Sequence, residues 1–196
     1  REYPRYINSN AEADPRTYGA NNASTLLAPF AEDPALVAFA PAYPRPPTCP
    51  AFTLAARMPA SAENLGSGEG WHRDAFLRQF KAILYLSNVS LENGPFQLID
   101  DSHCESRLLE DMKTAGLSYM QYRVEEKQIE RLLKRSPKRL KTFTATAGTL
   151  ILVDTSTLHR GMPIRSGVRY ALTNYYFPTD VVDQSMYEKF DVLPKA

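Results

Sequence analysis

The chain has 196 residues, 43% of them hydrophobic and 11% aromatic, which is long and apolar enough to bury one core. A formal net charge of +1 gives no electrostatic case for a nucleic-acid or anionic-membrane partner. No apolar run approaches the roughly 18 residues needed to span a bilayer.

The chain begins Arg-Glu-Tyr-Pro, with neither a signal-peptide profile nor an initiator Met, and is expected to belong to a longer protein. Its two cysteines, Cys49 and Cys104, form no Cys-x-x-Cys pair and cannot build a disulfide framework. A cytoplasmic setting is the expectation.

Residues 1–50 are rich in Pro, Ala and Asn and are expected to wrap a core made by the rest. Asp33-Pro34 reads as a helix start, since Asp caps and Pro is tolerated in the first turn. Pro41, Pro44, Pro46 and Pro47 are expected to exclude regular structure up to Cys49.

Strands follow. Ala51 to Met58 reads as the first, and a Gly/Ser-rich loop then runs through Gly66, Gly68 and Gly70. Phe80 to Val89 is expected as a buried strand, turned back at Glu92-Asn93-Gly94-Pro95 into a hairpin partner that starts at Phe96–Ile99. Thr149 to Val153 and Arg169 to Phe177 are two more, the latter rich in Tyr, Thr and Leu.

Residues 105–141 break this pattern. Leu108, Leu109 and Met112 fall at helical spacing, as do Ile129, Leu132 and Leu133. Glu125 and Glu126 precede the second helix, and Lys134 and Arg135 close it before Pro137, which suits the helix dipole. The basic tail from Lys134 to Lys141 reads as a solvated face. This insertion is expected to act as part of a mobile cover over the mouth of a site, the alternative being a rigid buttress packed on the outside of the sheet. The whole is expected to be one domain over 1–196: an all-β core of the double-stranded β-helix (jelly roll, cupin-like) class over 51–178, with flanking α-helices.

Three histidines occur. His72 and Asp74 form His-Arg-Asp at the entry to a strand, where residues i and i+2 face the same way. His159 lies just beyond the apolar run Thr-Leu-Ile-Leu-Val. Two imidazoles and one carboxylate on one face of a metal leave three positions open, the facial triad of non-haem Fe(II) oxygenases. Arg169, ten residues on, opens the strand Arg-Tyr-Ala-Leu-Thr-Asn-Tyr-Tyr-Phe and can hold a carboxylate bidentately. Arg165 and Arg160 are its rivals. Tyr85, which shares a strand face with Lys81 and Ile83, and Thr173, which shares one with Arg169, are candidates to assist. Gln97, Arg57 and Arg78 are candidates to face a substrate, Trp71 should point away from the metal, and His103 reads as a turn residue outside the triad.

The stretch Gly70-Trp-His-Arg-Asp-Ala resembles the phytanoyl-CoA dioxygenase (PhyH-like) family. So do Leu84-Tyr-Leu-Ser-Asn-Val-Ser-Leu-Glu-Asn-Gly-Pro-Phe-Gln-Leu-Ile-Asp-Asp-Ser-His103 and Ala147-Gly-Thr-Leu-Ile-Leu-Val-Asp-Thr-Ser-Thr-Leu-His-Arg-Gly161, with Arg169 following. The resemblance covers roughly residues 51 to 178. It implies a jelly roll with Fe(II) on His72, Asp74 and His159, and 2-oxoglutarate anchored by Arg169. It further implies hydroxylation of a small-molecule substrate by O2, with succinate and CO2 as co-products. Where the family often has Pro-Gly-Ser-His, this chain has Asp100-Asp101-Ser102-His103, and that turn is expected to be altered. The alternatives are a cupin-like metalloenzyme that does not use 2-oxoglutarate and a non-catalytic jelly-roll binding module. The oligomeric state is left open.

Overall fold

The computed structural model describes residues 6–7, 15–43, 48–62 and 65–178. The N-terminal tetrapeptide and Pro44, Pro46 and Pro47 lie outside the described residues.

The strands are β1 (Tyr6–Ile7), β2 (Pro15–Thr17), β3 (Thr48–Pro59), β4 (Phe80–Tyr85), β5 (Phe96–Ile99), β6 (Leu140–Phe143), β7 (Leu150–Asp154), β8 (His159–Gly161) and β9 (Val168–Pro178). They form two antiparallel sheets among the described residues. The large one has the order β1-β2-β3-β9-β4-β7, and the small one β6-β5-β8. Packed face to face, they make the double-stranded β-helix expected from the sequence.

Alternation along the two long strands decides what lies between the sheets. Phe52, Leu54, Ala56 and Met58 of β3, with Arg169, Ala171, Thr173, Tyr175 and Phe177 of β9, face the interior. Leu172, Asn174 and Tyr176 turn to the other face and are buried there. The helices α1 (Ala20–Ala23), α2 (Ala28–Ala31) and α3 (Pro34–Phe39) belong to that outer layer. Leu36 and Ala40 pack against Phe80, Ala82 and Tyr176, and Asn174 donates to the Phe30 carbonyl. Residues 28–40 thus pack on the outer face of the large sheet. Asp33 caps α3 by accepting from the Ala35 and Leu36 N–H groups, with Pro34 in the first turn, as read.

Several expectations are corrected. Pro41 sits inside a single 3-10 turn, Ala40–Ala42, where a first-turn proline costs no hydrogen bond. β3 begins at Thr48, before Ala51, because β9 runs to Pro178 and supplies a partner; a bulge between Pro50 and Phe52 absorbs the proline. β4 stops at Tyr85 instead of reaching Val89. The hairpin does not form. A 3-10 turn, Leu91–Asn93, and a left-handed Gly94 carry the chain across to the small sheet, where β5 pairs with β6 and β8 and not with β4. Ten residues separate β4 from β5, too many for the short loop that fixes a hairpin register. Asp101 takes φ 61°, a left-handed conformation that Asp tolerates better than most residues, so the aspartate adopts the glycine-like geometry instead of abolishing it.

The insertion holds α4 (Glu105–Ala115) and α5 (Glu126–Arg135) and lies on the outer face of the small sheet. Ala115, Val124, Ile129 and Leu132 form one buried cluster with Trp71, Ile99 and Leu158. Arg139 binds Asp111 through two hydrogen bonds of 2.7 and 2.8 Å. This packing is that of a buttress on the outer face of the small sheet. Ile129→Ala should cost about 2–5 kcal/mol, the usual loss for a buried aliphatic truncated in a close-packed cluster. Leu109→Ala, at a side chain 76% exposed, should cost under about 0.5 kcal/mol. Denaturant midpoints of the two variants decide it, and similar losses would mean the helices pack differently.

Candidate metal centre

The buttress reaches the candidate site through its backbone. The stretch between α4 and α5 runs beside residues 71–73: Arg73 N–H donates to Tyr122 O, and Val124 N–H to Trp71 O. On the other side, His72 and His159 exchange N–H···O bonds of 2.9 and 2.8 Å. His72 is thus held in an isolated bridge, and Asp74 follows in irregular chain, anchored by its N–H to Thr155 O. The expected strand entry is only this bridge, yet the two side chains still converge, held by the backbone bonds of His72 to His159 and of Asp74 to Thr155.

His72, Asp74 and His159 offer ligand atoms that lie within 4.8 Å of one another. Nε2 of His159 is 3.5 Å and Nε2 of His72 3.8 Å from the Asp74 carboxylate. Each imidazole has Nδ1 against a carbonyl two residues back, His72 on Gly70 O at 2.9 Å and His159 on Thr157 O at 2.8 Å. Nδ1 must then carry the proton, which leaves the Nε2 lone pair for a metal.

Burial lowers the pKa of His72, helped by the nearby Lys81 and Arg123 charges and opposed by Asp74. Burial also pushes His159 down to about 3, against the pull of Asp74. Burial alone would raise Asp74, but Lys81 and the two imidazoles outweigh it and hold the carboxyl well below its usual range. Neutral imidazoles and an ionised carboxylate are the protonation states that metal ligation requires. Asp74 Oδ2 makes a close ion pair with Lys81 Nζ at 2.6 Å but no well-angled hydrogen bond, so a buried carboxylate oxygen keeps an acceptor direction to fill. The donor set therefore fits a divalent metal with open positions.

A histidine kept neutral by burial binds fewer protons folded than unfolded below its ordinary value of 6.5. Its contribution to stability is whole above 6.5 and is lost as pH falls toward the folded value. The apoprotein should accordingly melt at a lower temperature at pH 5 than at pH 7.5. Equal melting temperatures would contradict neutral burial.

The triad opens on a cavity of about 350 Å³ between the sheets, also lined by Arg169, Tyr85, Thr173 and Lys81. Arg169 is buried at 4% exposure, with Nη2 2.8 Å from Met58 Sδ. The Tyr85 hydroxyl donates to Phe143 O and accepts from Phe96 N, tying the two sheets together, so its single proton is already committed. Thr173 lies between Arg169 and Tyr175 on the inner face of β9.

The rivals lie elsewhere. Arg160 stacks over Trp71 at 4.5 Å and bonds Glu126 and Gln97 on the helix side of the small sheet. Arg165 is exposed, 3.9 Å from Glu92. Gln97 faces the helices, and Arg57 and Arg78 face solvent. Trp71 points away from the metal site into the helix cluster, as expected. His103 contacts the Thr157 hydroxyl at 3.2 Å and stands outside the triad.

Lys81 was the residue whose partner was not foreseen. A lysine 5% exposed in an otherwise apolar strand was the signal, since such a group is almost never buried unpaired. Arg123 at the cavity wall and the part played by the glycine loop were not foreseen either. A Cβ on Gly68 would sit 2.1 Å from His72 Cε1, and one on Gly66 1.9 Å from Gly161 O. At Gly66 and Gly68 the backbone of the loop presses on the candidate site. Gly68→Ala should weaken metal binding about tenfold or more by displacing the imidazole. Gly70→Ala, at a similar φ of +89° but with nothing within 4 Å, carries the backbone strain alone. Metal titrations of the pair separate the two effects; equal losses would mean that strain, and not the collision, matters.

The sequence matches no family model and no curated protein. Solved structures do match. The crystal structure of HygX from Streptomyces hygroscopicus with nickel and 2-oxoglutarate bound has a TM-score of 0.59 at 16% identity, covering 91% of this chain and 74% of that one. The non-heme alpha ketoglutarate dependent carbocyclase SnoK from nogalamycin biosynthesis has a TM-score of 0.62 at 17% identity, over 88% and 68%. The epimerase SnoN, in complex with Fe3+, alpha ketoglutarate and nogalamycin RO, has 0.59 at 14% identity, over 90% and 68%. At such identities the likeness establishes the fold, and it is the fold of enzymes whose structures hold iron or nickel with 2-oxoglutarate.

Proposed function

We propose that this protein is an Fe(II)- and 2-oxoglutarate-dependent oxygenase of the phytanoyl-CoA dioxygenase-like group, acting on a small organic molecule. One observation carries the reading. A His-Asp-His set with converging ligand atoms opens on a cavity whose inner β9 face also presents a buried arginine.

His72, Asp74 and His159 would hold the iron, with Nδ1 of each imidazole fixed by a carbonyl so that Nε2 keeps its aim. Lys81 pairs with Asp74 at 2.6 Å and keeps it ionised. Arg169, itself only 4% exposed, would take the far carboxylate of the keto acid where a charged pair is little screened by water. Thr173, on the same face, would add a hydroxyl contact, and Tyr85 would close the wall behind it. Iron with 2-oxoglutarate and O2 supplies the oxidising power that attacks an unactivated C–H bond, with succinate and CO2 as co-products. The protein's contribution is to orient these partners and to exclude bulk water.

HygX binds hygromycin B and SnoN binds nogalamycin RO, which supports a small-molecule substrate here. No helix among the described residues is long and apolar enough to cross a membrane. The test is succinate release from 2-oxoglutarate on addition of Fe(II) under air, with and without candidate substrates. Metal binding without any 2-oxoglutarate binding would favour the cupin-like alternative. Binding of neither would favour a jelly-roll binding module.

A further inference from the structure

The end of the cavity away from Arg169 is built differently from the rest. Tyr18, Phe52, Tyr175 and Phe177 line it as one continuous aromatic wall. Phe52 stacks on Tyr175 at 4.6 Å between centroids and 20° between planes; Tyr18 lies 5.4 Å and Phe177 6.3 Å from Phe52. Tyr18, Tyr175 and Phe177 are only half-buried, so ring surface opens on the cavity. The wall begins one side chain from the candidate metal. Lys81 Nζ touches Asp74 at 2.6 Å and lies 3.9 Å from the centre of the Tyr175 ring.

Charge completes the description. Among the described residues, four cations line the cavity (Arg16, Lys81, Arg123 and Arg169) against two carboxylates (Glu69 and Asp74), a net charge of 4 − 2 = +2. On the reading above, the 2+ of iron and the 2− of 2-oxoglutarate cancel, so the loaded site keeps its excess of positive charge. Lys81 is engaged by Asp74. Arg123 donates to Gly68 O and Glu69 O and sits near the Glu69 carboxylate. Arg16 stands where the aromatic wall meets the glycine loop, half-buried, with Nη2 3.4 Å from Ser67 Oγ and a hydrogen bond to Tyr18. A guanidinium beside a ring wall in a partly closed cavity selects an anion attached to a flat apolar body.

We propose that the substrate is a one- or two-ring aromatic molecule carrying an anionic group, its ring on the Tyr18–Phe52–Tyr175–Phe177 wall and its anion at Arg16. This rests on the proposed function and specifies the substrate class of that site. Phe52 and Lys81 cover the Tyr175 ring, so a substrate ring packed against its open edge lies beside Lys81 and hence beside Asp74, which brings its C–H bonds toward the metal. Cationic molecules are disfavoured by the net positive site. A sugar bearing a carboxylate is the competing class, and glucuronate represents it in the test.

The test uses the protein loaded with Ni(II), a stand-in that holds the geometry without turnover, and saturating 2-oxoglutarate, so that the Arg169 end is taken. Binding of 1-naphthylacetate and 1-naphthyl phosphate is compared by calorimetry with the neutral 1-naphthylacetamide, the cationic 2-(1-naphthyl)ethylamine, cyclohexylacetate and glucuronate. The naphthyl anions are expected to bind about tenfold or more tighter than each of the others, a difference of about 1.4 kcal/mol. Arg16→Gln should bring acid and amide to equal affinity. Phe52→Leu should weaken every naphthyl probe while the affinity for Ni(II) stays as in the parent. Equal binding of acid and amide by the parent protein, or tighter binding of the amine or of glucuronate, overturns the proposal. Failure of 2-oxoglutarate to bind is a different result: it removes the proposed function, and the same probe series on the metal-free protein still decides between ring-plus-anion and the other classes.

Discussion

Asp74→Ala is expected to weaken Fe(II) or Ni(II) binding by at least about 100-fold, the upper end of what outer-shell partners alone contribute, and to abolish succinate release. The same substitution should destabilise the apoprotein. Asp74 meets Lys81 at 2.6 Å, His159 at 3.5 Å and His72 at 3.8 Å, so removing it leaves a buried ammonium facing two imidazoles and a ring. Breaking a buried pair by deleting one member costs about 3–5 kcal/mol. A lost metal site could then be mistaken for a lost fold. The double variant Asp74→Asn with Lys81→Met removes both charges and should recover most of that stability while metal binding stays lost. Acid behaviour follows the same logic. The Asp74 carboxyl is held below its ordinary value of 3.8, so its contribution is whole above that value and disappears as pH falls through the folded value. Metal titration and thermal melting of single and double variants separate the two roles, and a double variant that still binds metal tightly would remove Asp74 from the ligand set.

The converging set His72, Asp74 and His159 was legible because short-range geometry carries it. His72 and Asp74 are two apart in the chain, and His159 follows an apolar run that forms the edge strand β7, with alternate side chains buried. Arg169 was legible for a similar reason: an arginine heading a strand of Tyr, Thr and Leu has few places to go except inward. What escaped the sequence depends on partners far along the chain. Nothing local to Phe96–Ile99 says that it pairs with Leu140–Phe143 and His159–Gly161 and not with the strand just before it. A turn of Asn-Gly type is equally consistent with a hairpin and with a crossing between sheets. The helices at 105–141 show amphipathic spacing, but only the contact of Ile129 and Leu132 with Trp71 and Ile99 identifies the face they bury against. Leu109 fits the helical pattern as well as its neighbours and is nonetheless exposed. The glycines at 66 and 68 read only as part of a Gly/Ser-rich loop, whereas the structure gives them a steric reason, the approach of backbone to Gly161 and of His72 to the loop.

Arg169→Ala should lower the affinity for 2-oxoglutarate by roughly 30- to 5,000-fold, the equivalent of about 2–5 kcal/mol for a buried charged partner removed from a carboxylate. The estimate follows from where the guanidinium lies. At 4% exposure, on the inner face of β9 and beside Met58, it is screened from water, so a carboxylate reaching it forms its pair at low effective dielectric. Room for that approach depends on Gly161, where a Cβ would come 3.0 Å from Arg169 Nη2. Arg169→Lys keeps the charge but loses the planar two-pronged donor, and should fall between parent and alanine variant. Metal affinity without the keto acid should be nearly unchanged in both, because Arg169 is not among the converging ligand atoms. Arg165→Ala should do nothing measurable to 2-oxoglutarate, since that side chain is exposed beside Glu92. Arg160→Ala should cost stability instead, through its stacking on Trp71 and its bonds to Gln97 and Glu126. Calorimetric titration of 2-oxoglutarate into the Ni(II)-loaded variants reads all of these together. A larger loss at Arg165 or Arg160 than at Arg169 would move the anchor off β9, and the keto acid would then have to enter the cavity from the side of the small sheet.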